Sequence, residues 1–236
     1  MKTKIFRSEE RGHANHGWLK TYHSFSFASW YNPERMHFGK LRVMNDDEIA
    51  GGTGFGTHPH ENMEIITIPI EGALEHKDSM GNHGVISAGE VQIMSAGTGI
   101  EHSEYNHNKD QSGKFLQLWI FPEKDDVEPR YDQKKFDIND MQNRFLQLVG
   151  PGPADEGLWI YQQAYISITN LNQGRKVSYT MKNHKNGVFL FLIEGSVEIN
   201  HQDLKRRDAI EITETDKIEI SAKQESRILL IEVPLH

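Results

Sequence analysis

A glycine-rich turn runs directly into closely spaced histidines in the stretch Gly52-Thr53-Gly54-Phe55-Gly56-Thr57-His58-Pro59-His60-Glu61-Asn62-Met63-Glu64. In a β-strand the side chains of residues i and i+2 project to the same face, so His58 and His60 can offer two imidazoles to one ion. Pro59 restricts the backbone between them and biases His58 toward an extended conformation. The alternative interpretation is a pair of solvated histidines beside a turn.

A second stretch, Gly97-Thr98-Gly99-Ile100-Glu101-His102-Ser103-Glu104-Tyr105-Asn106, repeats this spacing with His102 and Glu104. Three neutral imidazoles and one carboxylate suit a divalent first-row metal such as Fe, Ni, Co, Mn, Cu or Zn. A set of this kind with open coordination positions is typical of catalytic sites and not of closed structural ones. We therefore predict one metal ion per chain, held by His58, His60, His102 and Glu104.

The rest of the chain is dominated by short β-rich runs separated by glycine and aspartate turns, for example residues 63–70, 114–121, 187–193 and 227–233. Only one short segment, 137–143, has the pattern of a helix. Many short strands with such turns favour a β-sandwich or barrel architecture.

Two proline-containing breaks suggest a domain junction. The charged segment 122–135 contains Pro122 and Pro129, and Gly150-Pro151-Gly152-Pro153 follows soon after. We predict an N-terminal metal-binding domain over residues 1–135 and a second domain over residues 136–236.

A weak internal repeat supports this division. Ile70-Glu71-Gly72-Ala73-Leu74-Glu75 resembles Ile193-Glu194-Gly195-Ser196-Val197-Glu198, and Ile100-Glu101-His102-Ser103-Glu104 resembles Ile218-Glu219-Ile220-Ser221-Ala222. Counting from these matches places His58 opposite Met181, His60 opposite Asn183, His102 opposite Ile220 and Glu104 opposite Ala222. The second half is therefore predicted to be the same unit without metal ligands.

Composition excludes several classes of function. The 236 residues carry 26 Lys and Arg against 34 Asp and Glu, a net charge of −8, which disfavours direct nucleic-acid binding. The absence of cysteine excludes disulfides, thiolate ligands and a cysteine nucleophile. No apolar run approaches the roughly 20 residues of a membrane-spanning helix, and the first residues show no secretory signal, so a cytoplasmic location is expected.

The motif residues resemble the cupin family. The first cupin motif is matched by Gly52, His58, His60, Glu64 and Gly72, and the second by Gly89, Gly97, His102 and Asn106. The runs FGTHPHENMEI, DSMGN and IMSAGTGIEHSEYN, together with ERGHANHGW, HSFSFA and LRVMNDD, resemble the pirins. The similarity is greatest to the bacterial pirins described as quercetin 2,3-dioxygenases.

This resemblance implies an all-β fold with two jelly-roll-like cupin barrels in tandem, the second degenerate. In the usual cupin the fourth ligand is the first-motif glutamate, here Glu64, whereas in pirins it corresponds to Glu104. Glu64 therefore remains a possible ligand or a partner that orients one. The implied activity is opening of the heterocyclic ring of a flavonol such as quercetin with O2, with Fe(II) favoured. Glu104 would then also be the catalytic base that accepts the substrate's hydroxyl proton.

Two other functions remain open. The resemblance to pirins also implies, as an alternative, a metal-binding, redox-sensing regulatory protein that acts through protein partners. The chain could also carry a different cupin chemistry, such as an isomerase or hydrolase that uses the metal as a Lewis acid.

The remaining histidines have simpler interpretations. His13 and His16 are expected to cap or pack, and His23 to lie on the polar face of a strand. His76 and His83 flank the loop 77–82 and are expected to face solvent.

Overall fold

The computed structural model describes residues 1–153 and 157–236, in which β-strands form nearly all of the regular structure. Two short 3-10 helices, Ser8–Glu10 and Ile138–Met141, are its only helical segments within those ranges, and the second lies inside the predicted segment 137–143. No helix of the described residues is long and apolar enough to span a membrane.

The strands fall into two groups along the chain. The first twelve are β1 (Lys2–Phe6), β2 (Gly12–Asn15), β3 (Leu19–His23), β4 (Leu41–Ile49), β5 (Gly54–His60), β6 (Glu64–Glu71), β7 (Ala73–Asp78), β8 (His83–Ser87), β9 (Glu90–Ser95), β10 (Ile100–Asn106), β11 (Gly113–Ile120) and β12 (Arg130–Lys135). The other ten are β13 (Leu146–Gly150), β14 (Leu158–Trp159), β15 (Tyr165–Leu171), β16 (Lys176–Thr180), β17 (Asn186–Glu194), β18 (Ser196–Ile199), β19 (Gln202–Lys205), β20 (Ala209–Thr213), β21 (Lys217–Ala222) and β22 (Ser226–Pro234).

Each half builds a seven-stranded and a four-stranded sheet. The first barrel combines β12-β9-β6-β11-β4-β3-β2 with β5-β10-β7-β8. The second combines β1-β20-β17-β22-β15-β13-β14 with β16-β21-β18-β19. The two strand orders correspond position by position across both four-stranded sheets. This duplicated arrangement confirms the expected all-β fold with two jelly-roll-like barrels.

The first strand of the chain belongs to the second barrel. Strand β1 pairs antiparallel with β20, with Ile5 opposite Ile210. The N-terminus therefore crosses to the other sheet before the chain enters the first barrel. The domain division after residue 135 stays a prediction.

The two barrels face each other through their seven-stranded sheets. One apolar cluster joins side chains of both sheets, among them Ile66 and Leu118 from the first barrel and Ile168, Phe191 and Leu229 from the second. Burial of this shared apolar surface is the main contribution that fixes one barrel against the other.

Strand pairing corrects the register of the internal repeat. Gly72 and Gly195 occupy the same turn, with φ of +83° and +93°, a region that favours glycine. Just after this turn, Leu74 pairs with Asn106 in the first barrel and Val197 pairs with Ala222 in the second. Ala222 is therefore equivalent to Asn106. Counting back along each strand makes Ile218 equivalent to His102 and Ile220 equivalent to Glu104.

The first histidine pair shifts by two residues as well. His58 pairs with His102, and Tyr179 pairs with Ile218. The equivalents of His58 and His60 are therefore Tyr179 and Met181, and the predicted matches with Met181 and Asn183 were wrong. The predicted matches assumed equal spacing from the glycine turn, but the loops before that turn differ in length between the two halves.

With the corrected register, the positions in the second barrel that are equivalent to the four predicted ligands still carry no metal-binding side chains of the same kind. A shift of two residues leaves a side chain on the same face of a strand. The four equivalent positions in the second barrel, Tyr179, Met181, Ile218 and Ile220, all belong to or pack against its apolar core.

Candidate metal centre

Three of the predicted ligands converge at one end of the first barrel. His58 and His102 are directly opposite each other on β5 and β10, with ring centroids 4.4 Å apart. The ring of His60 lies 4.9 Å from each of the other two rings. One ring nitrogen of each histidine lies within 4.8 Å of the others, a spacing that a single ion can bridge.

The hydrogen bonds of these rings leave nitrogen lone pairs available. His58 Nδ1 lies 2.8 Å from the carbonyl oxygen of Gly56, to which it donates, so Nε2 keeps its lone pair. His102 is only 1% exposed, and neither of its ring nitrogens has a hydrogen-bond partner among the described residues. Buried polar atoms without a partner are costly, and a metal ion at this position would supply one.

Burial keeps the rings of His60 and His102 neutral. Burial is the main effect that lowers the pKa of His60 to about 4 and that of His102 to about 3, and the neighbouring histidines lower both further. Neutral imidazole is the form that binds metals. The donor set therefore fits a divalent first-row ion.

Glu104 lies next to this cluster, buried and held by three donors. Its Oε1 accepts hydrogen bonds from the Thr67 hydroxyl at 3.2 Å and from Gln92 Nε2 at 3.1 Å. Its Oε2 accepts a bond of 2.7 Å from Gln117 Nε2. Ligand atoms of Glu104 and His102 lie within 4.8 Å of each other, in a group that also includes His76. Each carboxylate oxygen has a further lone pair, so these bonds still permit metal coordination.

The three donors to Glu104 come from one row of residues across the seven-stranded sheet. Gln117 on β11 lies opposite Thr67 on β6, and Thr67 lies opposite Gln92 on β9. On the other side of β11, Gln117 lies opposite Asn45, whose Oδ1 is 2.8 Å from Nδ1 of His23. The inner face of the barrel thus carries a polar row at the level of Glu104.

This row was not predicted from the sequence, although a signal for it was present. Thr67, Gln92 and Gln117 each interrupt an apolar run, as in Leu116-Gln117-Leu118 and Val91-Gln92-Ile93. A lone polar residue in a strand buried on both faces requires a buried partner. The interpretation of His23 as a satisfied strand residue is confirmed.

The expectation that His76 faces solvent was wrong. His76 is 0% exposed, and its ring stacks on Tyr131 with centroids 4.5 Å apart. Its Nε2 lies 3.1 Å from Asp78 Oδ2, and its ring centroid is 5.4 Å from that of His102. Its Nδ1 has no partner within the part of the chain that the structure describes. His83, by contrast, is exposed as expected.

Glu64 faces away from the histidines. Strand alternation places it on the same side of β6 as Ile66, which packs in the cluster between the barrels, and on the opposite side from Thr67. Its Oε2 accepts a hydrogen bond of 2.7 Å from the Ser95 hydroxyl, and burial raises its pKa to about 7. This orientation separates Glu64 from the histidine cluster.

A cavity of about 550 Å³ opens onto the candidate centre, and His58, His60 and Glu104 line part of it. Its walls are aromatic. The Trp119 ring lies 4.9 Å from that of His60 and 5.3 Å edge-on from that of Phe27, and Trp18 and Phe55 form a second edge-on pair. Flat aromatic walls beside a few convergent polar groups suit a planar aromatic ligand.

Comparison with known proteins agrees with this geometry. The chain matches the Pirin family over residues 5–120 and the quercetinase C-terminal cupin domain over residues 147–233. It is 42% identical over 228 residues to quercetin 2,3-dioxygenase of Escherichia coli K12, covering 97% of each chain. It is also 40% identical over 225 residues to a pirin-like protein of Caulobacter vibrioides, covering 95% of this chain and 96% of that one.

A solved structure extends the similarity to the whole fold. The crystal structure of the bacterial pirin YhhW from Escherichia coli in complex with nickel(II) superimposes with a TM-score of 0.93, at 40% identity, and each chain covers 100% of the other. Full-length identity at this level, the match to the pirin model and the shared two-barrel architecture lead to one conclusion: the chain belongs to the pirin family.

Proposed function

We propose that the first barrel binds one divalent transition metal through His58, His60, His102 and Glu104. The observation that carries this proposal is His102, a buried imidazole with two unpartnered nitrogens beside two further histidines. The nickel(II) complex of a relative with 40% identity supports it. Fe(II) is the favoured ion and Ni(II) the main competitor. Elemental analysis of protein purified without added metal separates them.

The activity we propose is oxidative opening of the heterocyclic ring of a flavonol by O2, with release of carbon monoxide. Support comes from the relative named quercetin 2,3-dioxygenase and from the aromatic walls of the cavity, which match the flat shape of such a substrate. When bound, the metal would hold the substrate oxygen and lower the barrier to reaction with O2.

Glu104 is the residue proposed to accept the proton of the substrate's hydroxyl. A flavonol must lose this proton before it donates electrons readily, and the base must lie within hydrogen-bond reach. Glu104 lines the cavity, and three donors hold its carboxylate in one orientation. Trp119 and Phe27, in edge-on contact with each other, line the same cavity.

The test mixes metal-loaded protein with quercetin in air and follows flavonol absorbance, O2 uptake and carbon monoxide. Glu104→Gln keeps an oxygen for the metal but removes the base, so we expect it to retain much of its metal and lose about 100-fold in turnover. His58→Ala should lose metal and activity together. Near-wild-type turnover by Glu104→Gln at equal metal content would exclude Glu104 as the base. Stoichiometric metal without turnover of any flavonol would favour the regulatory function.

A further inference from the structure

Asp47 is a buried carboxyl group without an evident structural task. It lies on β4, is 6% exposed and lines the same cavity as the candidate metal centre. Its Oδ1 has no hydrogen-bond partner among residues 1–153 and 157–236. A carboxyl group taken out of water is costly unless it is paired, and burial is the main reason that the pKa of Asp47 is raised to about 7. The described residues therefore leave the hydrogen-bonding capacity of Oδ1 unused.

The position of Asp47 relates it to Glu104. On β4 it is the next inward-facing residue after Asn45, and it pairs with Phe115 on β11. Phe115 lies two residues before Gln117, which donates to Glu104. Asp47 therefore lies on the strand next to that of Gln117, displaced from it by one inward-facing position. The two carboxyl groups line one cavity from neighbouring positions.

The adjacent acid, Asp46, shows what a structural carboxylate looks like on this strand. It faces the opposite side and forms ion pairs of 3.0 Å with Arg11 and 3.1 Å with Arg207. Within residues 1–153 and 157–236 Asp47 forms no such ion pair, and the hydroxyl of Thr21, opposite it on β3, donates a hydrogen bond to its carboxyl group. On this strand Asp46 thus forms an ion pair with Arg207 of the second half of the chain, whereas Asp47 faces the cavity.

We propose that Asp47 is a positioning residue that accepts a hydrogen bond from a hydroxyl group of a phenolic substrate. This inference rests on the proposed function and narrows it. The substrate class becomes a planar polyphenol with two separated hydroxyl groups, one directed to Glu104 and one to Asp47. The carboxyl has an acceptor lone pair in either protonation state. A ligand without the second hydroxyl would leave the buried carboxyl unpaired, which is an effective way to reject it.

The experiment measures binding without turnover. Nickel-loaded protein is titrated without oxygen with quercetin, with an analogue lacking its A-ring hydroxyls and with an analogue lacking its B-ring hydroxyls. Asp47→Ala should weaken quercetin binding about tenfold, the effect expected from losing one buried hydrogen bond. The same substitution should leave the dissociation constant of one analogue unchanged, namely the analogue that lacks the hydroxyl received by Asp47.

Two further variants make the result interpretable. Asp47→Asn preserves shape and is used if the alanine variant does not fold. It keeps one acceptor oxygen, so it should lower the preference for the hydroxylated ligand in the same direction but by less than Asp47→Ala. Glu48→Gln is the matched control, because Glu48 is the next residue on the strand and its side chain pairs with Lys20 at 3.2 Å instead of facing the cavity. It should change none of the three dissociation constants. Nickel stoichiometry and melting temperature are recorded for every variant.

The outcomes separate this inference from the proposed reaction. If Asp47→Ala weakens all three ligands equally or none of them, Asp47 does not receive a hydroxyl, although turnover of quercetin in air can still stand. If the Asp47-dependent preference is present but no flavonol is turned over in air, the inference holds and the dioxygenase proposal fails. If the wild-type protein binds none of the three ligands, both are overturned.

Discussion

Gln117 fixes the orientation of Glu104 through a side chain that is itself fixed by Trp119. Its amide nitrogen donates to Glu104 Oε2 at 2.7 Å, while its amide oxygen accepts the indole N–H of Trp119 at 3.1 Å. The indole has only a donor, so the Gln117 amide cannot turn around without losing both bonds. A residue of the cavity wall and a proposed metal ligand are therefore linked through one amide.

The first prediction follows from this link. Gln117→Met keeps the volume of the side chain but removes the donor, so Glu104 loses one of its three bonds and with it part of its orientation. Loss of an outer partner of a metal ligand commonly lowers metal affinity about 10- to 100-fold, and we expect that loss here. Competition with a chelator of known affinity measures it.

The matched control uses the same substitution on the same sheet. Gln133 accepts a hydrogen bond of 2.7 Å from the Tyr131 hydroxyl and does not contact Glu104. Gln133→Met should leave metal affinity within about twofold of wild type. Equal losses in both variants would show that the effect comes from general loosening of the barrel.

The second prediction concerns metal removal. The proposed ligands lie on two strands of the first barrel, so a bound ion would cross-link β5 and β10. At a hundredfold excess over the dissociation constant, binding to the folded state alone stabilises it by about 2.7 kcal/mol. For a chain of this size that corresponds to a rise in melting temperature of roughly 5 to 10 °C. A thermal scan with metal and with chelator measures the rise, and His58→Ala should abolish it. An unchanged melting profile after confirmed metal removal would contradict ligands on separate strands.

The histidine cluster was predictable because it depends on local spacing. His58 and His60 form an i, i+2 pair on β5, and the alternation of a strand converts that spacing directly into a shared face. The spacing does not predict that the two strands are neighbours. That step came from the resemblance to cupins, and the direct pairing of His58 with His102 agrees with it.

Contacts between distant parts of the chain were not predictable in the same way. The segment around His76 has the polar, glycine-containing composition of an exposed loop, yet Tyr131 covers the imidazole from a strand more than fifty residues later. The register of the repeat failed for a related reason, because loop length is independent of strand pairing. Local patterns give the direction of a side chain, whereas its surroundings depend on the packing of the whole barrel.

The third prediction concerns pH and Glu64. Burial raises its pKa in the folded protein to about 7 from the ordinary 4.5, so the folded state binds the proton more tightly than the unfolded state. Stability from this group is therefore present at low pH and is lost as pH rises from about 4.5 through 7. Glu64→Gln mimics the protonated form and removes that loss. The free energy of unfolding of the variant minus that of wild type should increase by on the order of 2 to 3 kcal/mol from pH 5 to pH 8.5.

Denaturant titrations at the two pH values measure the Glu64 effect. Other buried acids titrate in both proteins, so their contributions cancel in the difference. Glu61→Gln, an exposed site three residues earlier, should change stability by less than about 0.5 kcal/mol at either pH. If the difference in free energy of unfolding between Glu64→Gln and wild type does not change with pH, the pKa of Glu64 is not raised in the folded state.

The last prediction concerns Glu232, which closes the second barrel where the first barrel carries its metal site. Its buried carboxylate accepts four hydrogen bonds of 2.9 Å, from the hydroxyl of Tyr179, the backbone amides of Lys182 and Asn183, and the side-chain amide of Asn186. Tyr179 is the equivalent of His58, and the two backbone donors belong to the loop that follows its strand. His58 is a proposed metal ligand in the first barrel, whereas its equivalent in the second barrel, Tyr179, is hydrogen-bonded to the buried Glu232.

Glu232→Ala leaves these four donors without an acceptor. We expect it to lower the free energy of unfolding by roughly 3 to 5 kcal/mol, because buried donors without an acceptor incur the full free-energy cost of their desolvation. Glu232→Gln keeps one acceptor oxygen and should lose about half as much. Both variants should retain one metal per chain, since the proposed ligands lie in the first barrel. Glu225→Ala is the control, because the side chain of this exposed acid accepts a single hydrogen bond from the described residues, that of the Gln173 backbone amide. Loss of metal by folded Glu232→Ala protein would show instead that the second barrel supports the metal site directly through the packed sheets.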